Sequence, residues 1–340
     1  MLPRTLLLLL TLLAPGPARA QVVAPWTEAV VSVRDLDGAA SLLRKVGGWR
    51  ETHRGRIDRA ELRYFRLPRS ASGAFLRICA PGSDEGCIRF VRFDGVPQRP
   101  VRLAARPWDT GGIFSLMMRS DNVQSVFDRA IALGWWAESE PIAFAFAGSQ
   151  LRNVVLTGPH GINIALYERS SPPFTAFPLG PISRSFNSMR MVRDQRAAAA
   201  FYRGKLGYNI VFETDFLDPQ PQSSNFSLPR NLTTSIVRRA AALHPTSGET
   251  GRVEVMQFVG FEGRDLSRHA SPPNLGILSL RHPVSNLQAY RAQLRARGVV
   301  IAYEATAVRI SGVGSADLIA VRDPDGNLTE FYQARRSASR

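Results

Sequence analysis

Asp323-Pro324-Asp325-Gly326, running on into Asn327-Leu328-Thr329-Glu330-Phe331, has a weaker copy 165 residues upstream in Gly158-Pro159-His160-Gly161. A second pair of segments lies ahead of these. Gly112-Ile113-Phe114-Ser115-Leu116, followed by Asn122 and Gln124, matches Gly276-Ile277-Leu278-Ser279-Leu280, followed by Asn286 and Gln288, at a shift of 164. A third pair, shifted by 159, sets Val33-Arg34-Asp35-Leu36 and Val46-Gly47-Gly48-Trp49 against Val192-Arg193-Asp194-Gln195 and Lys205-Leu206-Gly207-Tyr208. Three offsets that agree so closely mark a tandem duplication. The halves are roughly 24–170 and 180–335, joined by the Pro- and Ser-containing stretch 170–181.

Each half divides again into two modules of one grammar. A short β-rich run opens each module, at 29–33, 113–118, 188–192 and 277–280. An amphipathic helix follows, clearest at 123–133 and 287–296, and stops at Gly134 and Gly298. Three further strands close the module, the last after a turn such as 323–327. The pattern is βαβββ four times, an α+β fold whose modules pair into two domains. Segment 215–251 is the least regular, broken by Pro219, Pro221, Pro229 and Pro245.

Four such modules carrying Phe201-Tyr202-Arg203-Gly204-Lys205-Leu206-Gly207-Tyr208 and the Asp-Pro-Asp-Gly-Asn-x-x-Glu segment resemble the vicinal oxygen chelate superfamily. That group includes glyoxalase-type isomerases, bleomycin-resistance proteins and extradiol dioxygenases. The resemblance implies paired modules curled around a cleft, with a divalent metal held by residues of the opening and closing strands. The metal acts there as a Lewis acid on an oxyanion. On the opening strands the implied ligand positions are Glu28 and Asn187 in modules one and three. In modules two and four they fall at Ile113 and at Ile277 or Leu275. On the closing strands they are Arg89, Ala165, Glu254 and Glu330.

The halves differ sharply on this reading. Glu28, Arg89, Ile113 and Ala165 cannot coordinate a cation, which makes 24–170 a domain with a degenerate site. Asn187, Glu254 and Glu330 are three oxygen donors expected to converge on one cleft of 180–335, the candidate metal site. Oxygen ligands suit Mn²⁺ or Mg²⁺ better than Zn²⁺, and Ni²⁺ and Fe²⁺ stay open. The competing reading makes Glu254 and Glu330 half-buried strand residues without a metal. None of the five histidines, His53, His160, His244, His269 and His282, falls on a ligand position, which weighs against an extradiol dioxygenase. His282, beside Pro283, reads as a surface or turn residue, and His160 replaces the aspartate of the turn. Arg190 is a candidate to hold an anionic substrate. Phe201, Tyr202 and Tyr208 read as core.

Composition narrows the partners. The 340 residues are 44% hydrophobic and 21% charged, with formal net charge +15. Lys45 and Lys205 are the only lysines, and the arginines are scattered without the basic, aromatic-interleaved run that a nucleic-acid groove needs. A small-molecule ligand or substrate is expected, with no nucleic acid and an oligomer left open. Arg4, the apolar run 5–13 and Ala18-Arg19-Ala20 read as a signal peptide, 1–20, cleaved before Gln21. That run is too short to span a bilayer, which needs about 20 apolar residues. The expected location is periplasmic or secreted. Cys79 and Cys87 flank the turn 80–86 between two strand-like runs, and an oxidising compartment would close them into a disulfide. P-loop, G-x-S-x-G, Rossmann and H-E-x-x-H patterns are absent. Asn225, Asn231 and Asn327 match the glycosylation pattern. Two functions stay open: an exported metal-dependent lyase or isomerase, and a non-catalytic protein that captures a small molecule in the same cleft.

Overall fold

The structure, a computed structural model, describes residues 23–335; the signal peptide expected at 1–20 and its cleavage site lie outside them. Module one comprises β1 (Glu28–Ser32), α1 (Leu36–Lys45), β2 (Arg50–Arg56), a short α2 (Arg59–Tyr64), β3 (Ser72–Cys79) and β4 (Cys87–Asp94). Module two comprises β5 (Ile113–Arg119), α3 (Val123–Ala132), the short edge pieces β6 (Trp136–Ala137) and β7 (Ile142–Phe146), β8 (Ser149–Thr157) and β9 (Asn163–Ser171). Module three has β10 (Ser185–Met191), α4 (Gln195–Ala200), β11 (Asn209–Phe216), β12 (Arg238–His244) and β13 (Val253–Phe258). Module four has β14 (Gly276–Pro283), α5 (Leu287–Ala296), β15 (Ile301–Ile310), β16 (Gly314–Arg322) and β17 (Leu328–Ala334). The βαβββ pattern therefore appears four times.

The repeated polar residue ahead of each helix is its N-cap. Asp35, Asn122, Asp194 and Asn286 each accept a hydrogen bond from a backbone N–H of the first turn, satisfying a donor that the helix itself leaves open. In the turn, Asp323 accepts from the backbone N–H groups of Asp325 and Asn327, and Gly326 supplies the left-handed φ of +80°. Asp325 reaches out of the turn to accept from the N–H of Arg193 at 3.1 Å. His160 plays the same role in the preceding repeat, its Nε2 lying 3.2 Å from the N–H of Arg34. The Asp-to-His change therefore keeps a backbone acceptor at this position.

Within each module the opening and closing strands run parallel, as β1–β4, β5–β9, β10–β13 and β14–β17. The modules then join through antiparallel opening strands, but across the sequence halves: β1 pairs with β14, and β5 with β10. One sheet runs β15-β16-β17-β14-β1-β4-β3-β2 and the other β11-β12-β13-β10-β5-β9-β8-β6, with β7 added on β8. Each sheet thus takes one module from 24–170 and one from 180–335. The two crossovers that carry the chain between sheets pair with each other. Val101 donates to the carbonyl of Leu275, and Leu266 to that of Thr110. At Gly111, φ is +81° and a Cβ would lie 2.4 Å from the backbone nitrogen of Ser267, so only glycine allows this contact.

An apolar core joins the four module helices to faces of both sheets, through Leu42 and Leu43 of α1, Val126 of α3, Ala198 of α4 and Leu294 of α5. Tyr202 and Tyr208 belong to it, as expected. Two smaller apolar clusters belong one to each sheet. Cys79 and Cys87 close the β3–β4 hairpin as a disulfide. No helix among the described residues is long and apolar enough to cross a membrane.

Candidate functional site

The cleft of the first sheet is filled by charge. Arg281, fully buried on β14, is 3.2 Å from Glu28 of β1, 2.7 Å from Glu61 of α2 and 3.1 Å from Glu330 of β17. Arg89 of β4 holds the other oxygen of Glu61 at 2.6 Å, and Arg77 of β3 the other oxygen of Glu28 at 3.0 Å. The Ser279 hydroxyl donates to the second oxygen of Glu330. Three carboxylates thus face three guanidinium groups, and every carboxylate oxygen has a donor. Burial alone would raise the Glu61 carboxyl, but the Arg89 and Arg281 charges outweigh it and hold it below its ordinary value. Burial opposes the charge on Arg281, and Glu330, Glu61 and Glu28 together push its affinity for the proton well up. The α2 insertion also lays Leu62, Tyr64 and Phe65 across the cleft, against Phe93 and Tyr303.

The cleft of the second sheet is open. A cavity of about 340 Å³ lies over β5, β10 and β13, with Met117, Met189, Asn187 and Glu254 along its floor. Leu217 and Phe226, from the long β11–β12 connection, line it as well. Phe146 of β7 meets Phe212 and Phe216 of β11 with ring centroids 5.2 and 5.3 Å apart, so the two ends of the sheet close on each other. Asn225 bonds the Asn153 carbonyl at 3.1 Å and its side-chain oxygen at 2.7 Å, pinning the connection over the cavity. That amide is buried, which removes it from glycosylation.

Glu254 is the acidic group of this floor. Asn187 Nδ2 donates to it at 2.9 Å, and the Asn187 oxygen accepts from the N–H of Ser188. Burial, opposed by the Asn187 bond and by the Arg252 charge, pushes the Glu254 carboxyl up to about 7. Further along the cavity, the Arg119 guanidinium of β5 lies over the rings of Phe174 and Phe186, 4.2 and 4.5 Å from their centroids.

The expected metal positions therefore separate. Asn187 and Glu254 meet, whereas Glu330 lies in the other sheet and is bound by Arg281 and Ser279. The strand register also corrects Ile113, Ile277 and Leu275. Seven residues ahead of each N-cap stand Glu28, Ser115, Asn187 and Ser279, and Ile113, Ile277 and Leu275 are apolar core or crossover residues. A divalent cation does not fit either set. The first has a guanidinium among its carboxylates. The second offers Ser115, Ala165, Asn187 and Glu254, one carboxylate with an amide already committed to it. Among the described residues, no three His, Cys, Asp or Glu side chains are grouped to hold a metal. Arg190 does not face the cavity: it lies between the sheets, 3.8 Å from Asp323 and over the Tyr202 ring. His282 is fully buried, not a surface residue; it contacts Tyr208 and the Ala24 carbonyl, and burial holds its ring down to about 3. Glu61, Arg281 and Arg119 were not legible as site residues, since no motif carries them.

Two variants test these electrostatics. Arg281→Met leaves buried Glu330 without a cation and takes one of two guanidinium partners from each of Glu28 and Glu61, and should cost about 3–5 kcal/mol of unfolding free energy in urea titrations; a loss under about 1 kcal/mol would contradict the network. Glu254 holds its proton more tightly folded than unfolded. Its stabilising contribution is therefore complete below about pH 4.5 and is lost as pH rises to about 7. Glu254→Gln should remove that loss, leaving the variant on the order of 3 kcal/mol more stable than wild type at pH 8 but not at pH 4. Parallel stability–pH curves for the two proteins would refute the raised value.

Comparison with known proteins places this geometry. Residues 187–331 match the family model described as Glyoxalase/Bleomycin resistance protein/Dioxygenase superfamily. No curated protein sequence matches the chain. Glyoxalase I from Zea mays superposes with a TM-score of 0.58 at 14% identity, covering 91% of this chain and 92% of that one. A Bacillus subtilis protein provisionally described as a dioxygenase superposes at 0.55 and 11% identity, over 94% and 87%. At such identities the likeness is one of fold. Residues 187–331 thus match the glyoxalase/bleomycin resistance protein/dioxygenase family model, and the four paired modules share the fold of glyoxalase I.

Proposed function

We propose that this protein captures a small, largely apolar molecule in the cavity of the second sheet and does so without a bound metal. The observation that carries this reading is the contrast between the two clefts. One is filled by an insertion and a saturated ion network; the other keeps an aromatic- and methionine-lined space of about 340 Å³, the size and character of a small-molecule site. The lyase or isomerase reading depends on a divalent cation, and the donor set at Asn187 and Glu254 supports one poorly. We place the protein outside the cytoplasm, in the periplasm or secreted. The N-terminal sequence pattern supports this, and the Cys79–Cys87 disulfide is consistent with it.

A neutral reporter tests the cavity. N-phenyl-1-naphthylamine should bind with saturable fluorescence enhancement at one site per chain. Leu151→Trp, which adds an indole to the cavity lining, should weaken it at least tenfold. Absence of saturable binding, or equal binding by the variant, would overturn the reading.

A further inference from the structure

The polar groups around this cavity are unevenly satisfied. Asn153 and Asn225 bond each other, and Arg238 pairs with Asp218 at 2.7 Å, although the Arg238 Nε has no acceptor. At the Arg119 end the pairing runs out. Arg119 and Arg252 share one oxygen of Glu249, at 3.1 and 3.3 Å. Arg169 adds a third positive charge close enough to act on Arg119. Glu249 faces Arg119 and Arg252, and Glu254 feels the Arg252 charge. The Arg119 side chain is 9% exposed, yet its Nε makes no hydrogen bond. A buried guanidinium N–H without an acceptor is costly.

The arginine is also rigid. Its guanidinium carbon lies over both the Phe174 and Phe186 rings, so little freedom is left to lose when an acceptor arrives. A planar fork held this way suits a carboxylate, which can take two parallel N–H donors. The rest of the cavity offers apolar contact from Met117, Met189, Phe212 and Phe226.

We propose that the cavity selects a monocarboxylate with an aromatic or otherwise apolar body, its carboxylate bound by Arg119 and its body lying over the methionine and phenylalanine floor. This rests on the capture reading above and adds the ligand class to it. The Glu249 carboxylate acts as a competing partner, occupying one side of Arg119 until the ligand supplies another.

Calorimetric titration with 3-phenylpropionate, 3-phenylpropanamide and 3-phenylpropylamine separates the two levels. The carboxylate should bind at least tenfold more tightly than the amide or the amine. Arg119→Gln should abolish that preference, with carboxylate binding falling to the level of the amide. Glu249→Gln, a change at a partly exposed side chain, should tighten carboxylate binding at least threefold without altering the amide; it decides the matter if Arg119→Gln fails to fold. Equal binding of carboxylate and amide, preference for the amine, or no gain in Glu249→Gln would overturn the assignment of ligand class and leave the capture reading standing. No binding of any of the three, together with failure of the neutral dye, would overturn both.

Discussion

A guanidinium shared among three buried carboxylates governs the first sheet. Arg281 meets Glu28, Glu61 and Glu330, and at low effective dielectric none of these charges is tolerable without the others. The network reaches across both modules of the sheet and into the α2 insertion. It therefore fixes three things together: the β1–β14 junction, the seating of α2 and the closure of the cleft. Glu330, the glutamate of the most specific segment in the sequence, is consumed by this structural role.

The duplication leaves the second sheet free to differ. Both odd-numbered modules carry an insertion between their second and third strands. In module one it is short and helical, and it drives Glu61, Leu62 and Phe65 into the cleft. In module three it spans 217–237 and arches over the cleft instead, anchored by Asn225. Where the first sheet has an arginine the second has Met117, paired in register with Ala165 as Arg281 is with Glu330. Losing that cation leaves a floor with one carboxyl, which burial pushes toward neutrality. The product is an apolar space with one charged end at Arg119.

Local signals were what the sequence made legible. The aspartates and asparagines at helix starts, the glycines at helix ends and the Asp-Pro-Asp-Gly turn act within a few residues of themselves, so they read correctly as four βαβββ modules. The partners of the opening strands did not read, because β1 could extend either β5 or β14 by the same backbone hydrogen bonds. In the structure β1 takes β14, and the two distant crossovers pair with each other around Gly111 and Ser267. This one choice put Glu330 in a different sheet from Asn187 and Glu254. The misplaced ligand positions have a simpler cause: modules two and four do not repeat the Val-Arg-Asp of 33–35 and 192–194, whereas Asn122 and Asn286 stand as far from Ser115 and Ser279 as Asp35 and Asp194 do from Glu28 and Asn187. Arg281, Glu61 and Arg119 have no local signature, since their importance lies in what faces them.

Anomalous diffraction from crystals soaked in MnCl₂ at neutral pH addresses the central claim most directly, that a side-chain cation stands where the fold could otherwise hold a metal. The density should show the Arg281 guanidinium against Glu28, Glu61 and Glu330, with no manganese peak there or beside Asn187 and Glu254. A manganese peak coordinated by Glu330 or Glu254, with Arg281 displaced or Asn187 turned to ligate, would contradict it.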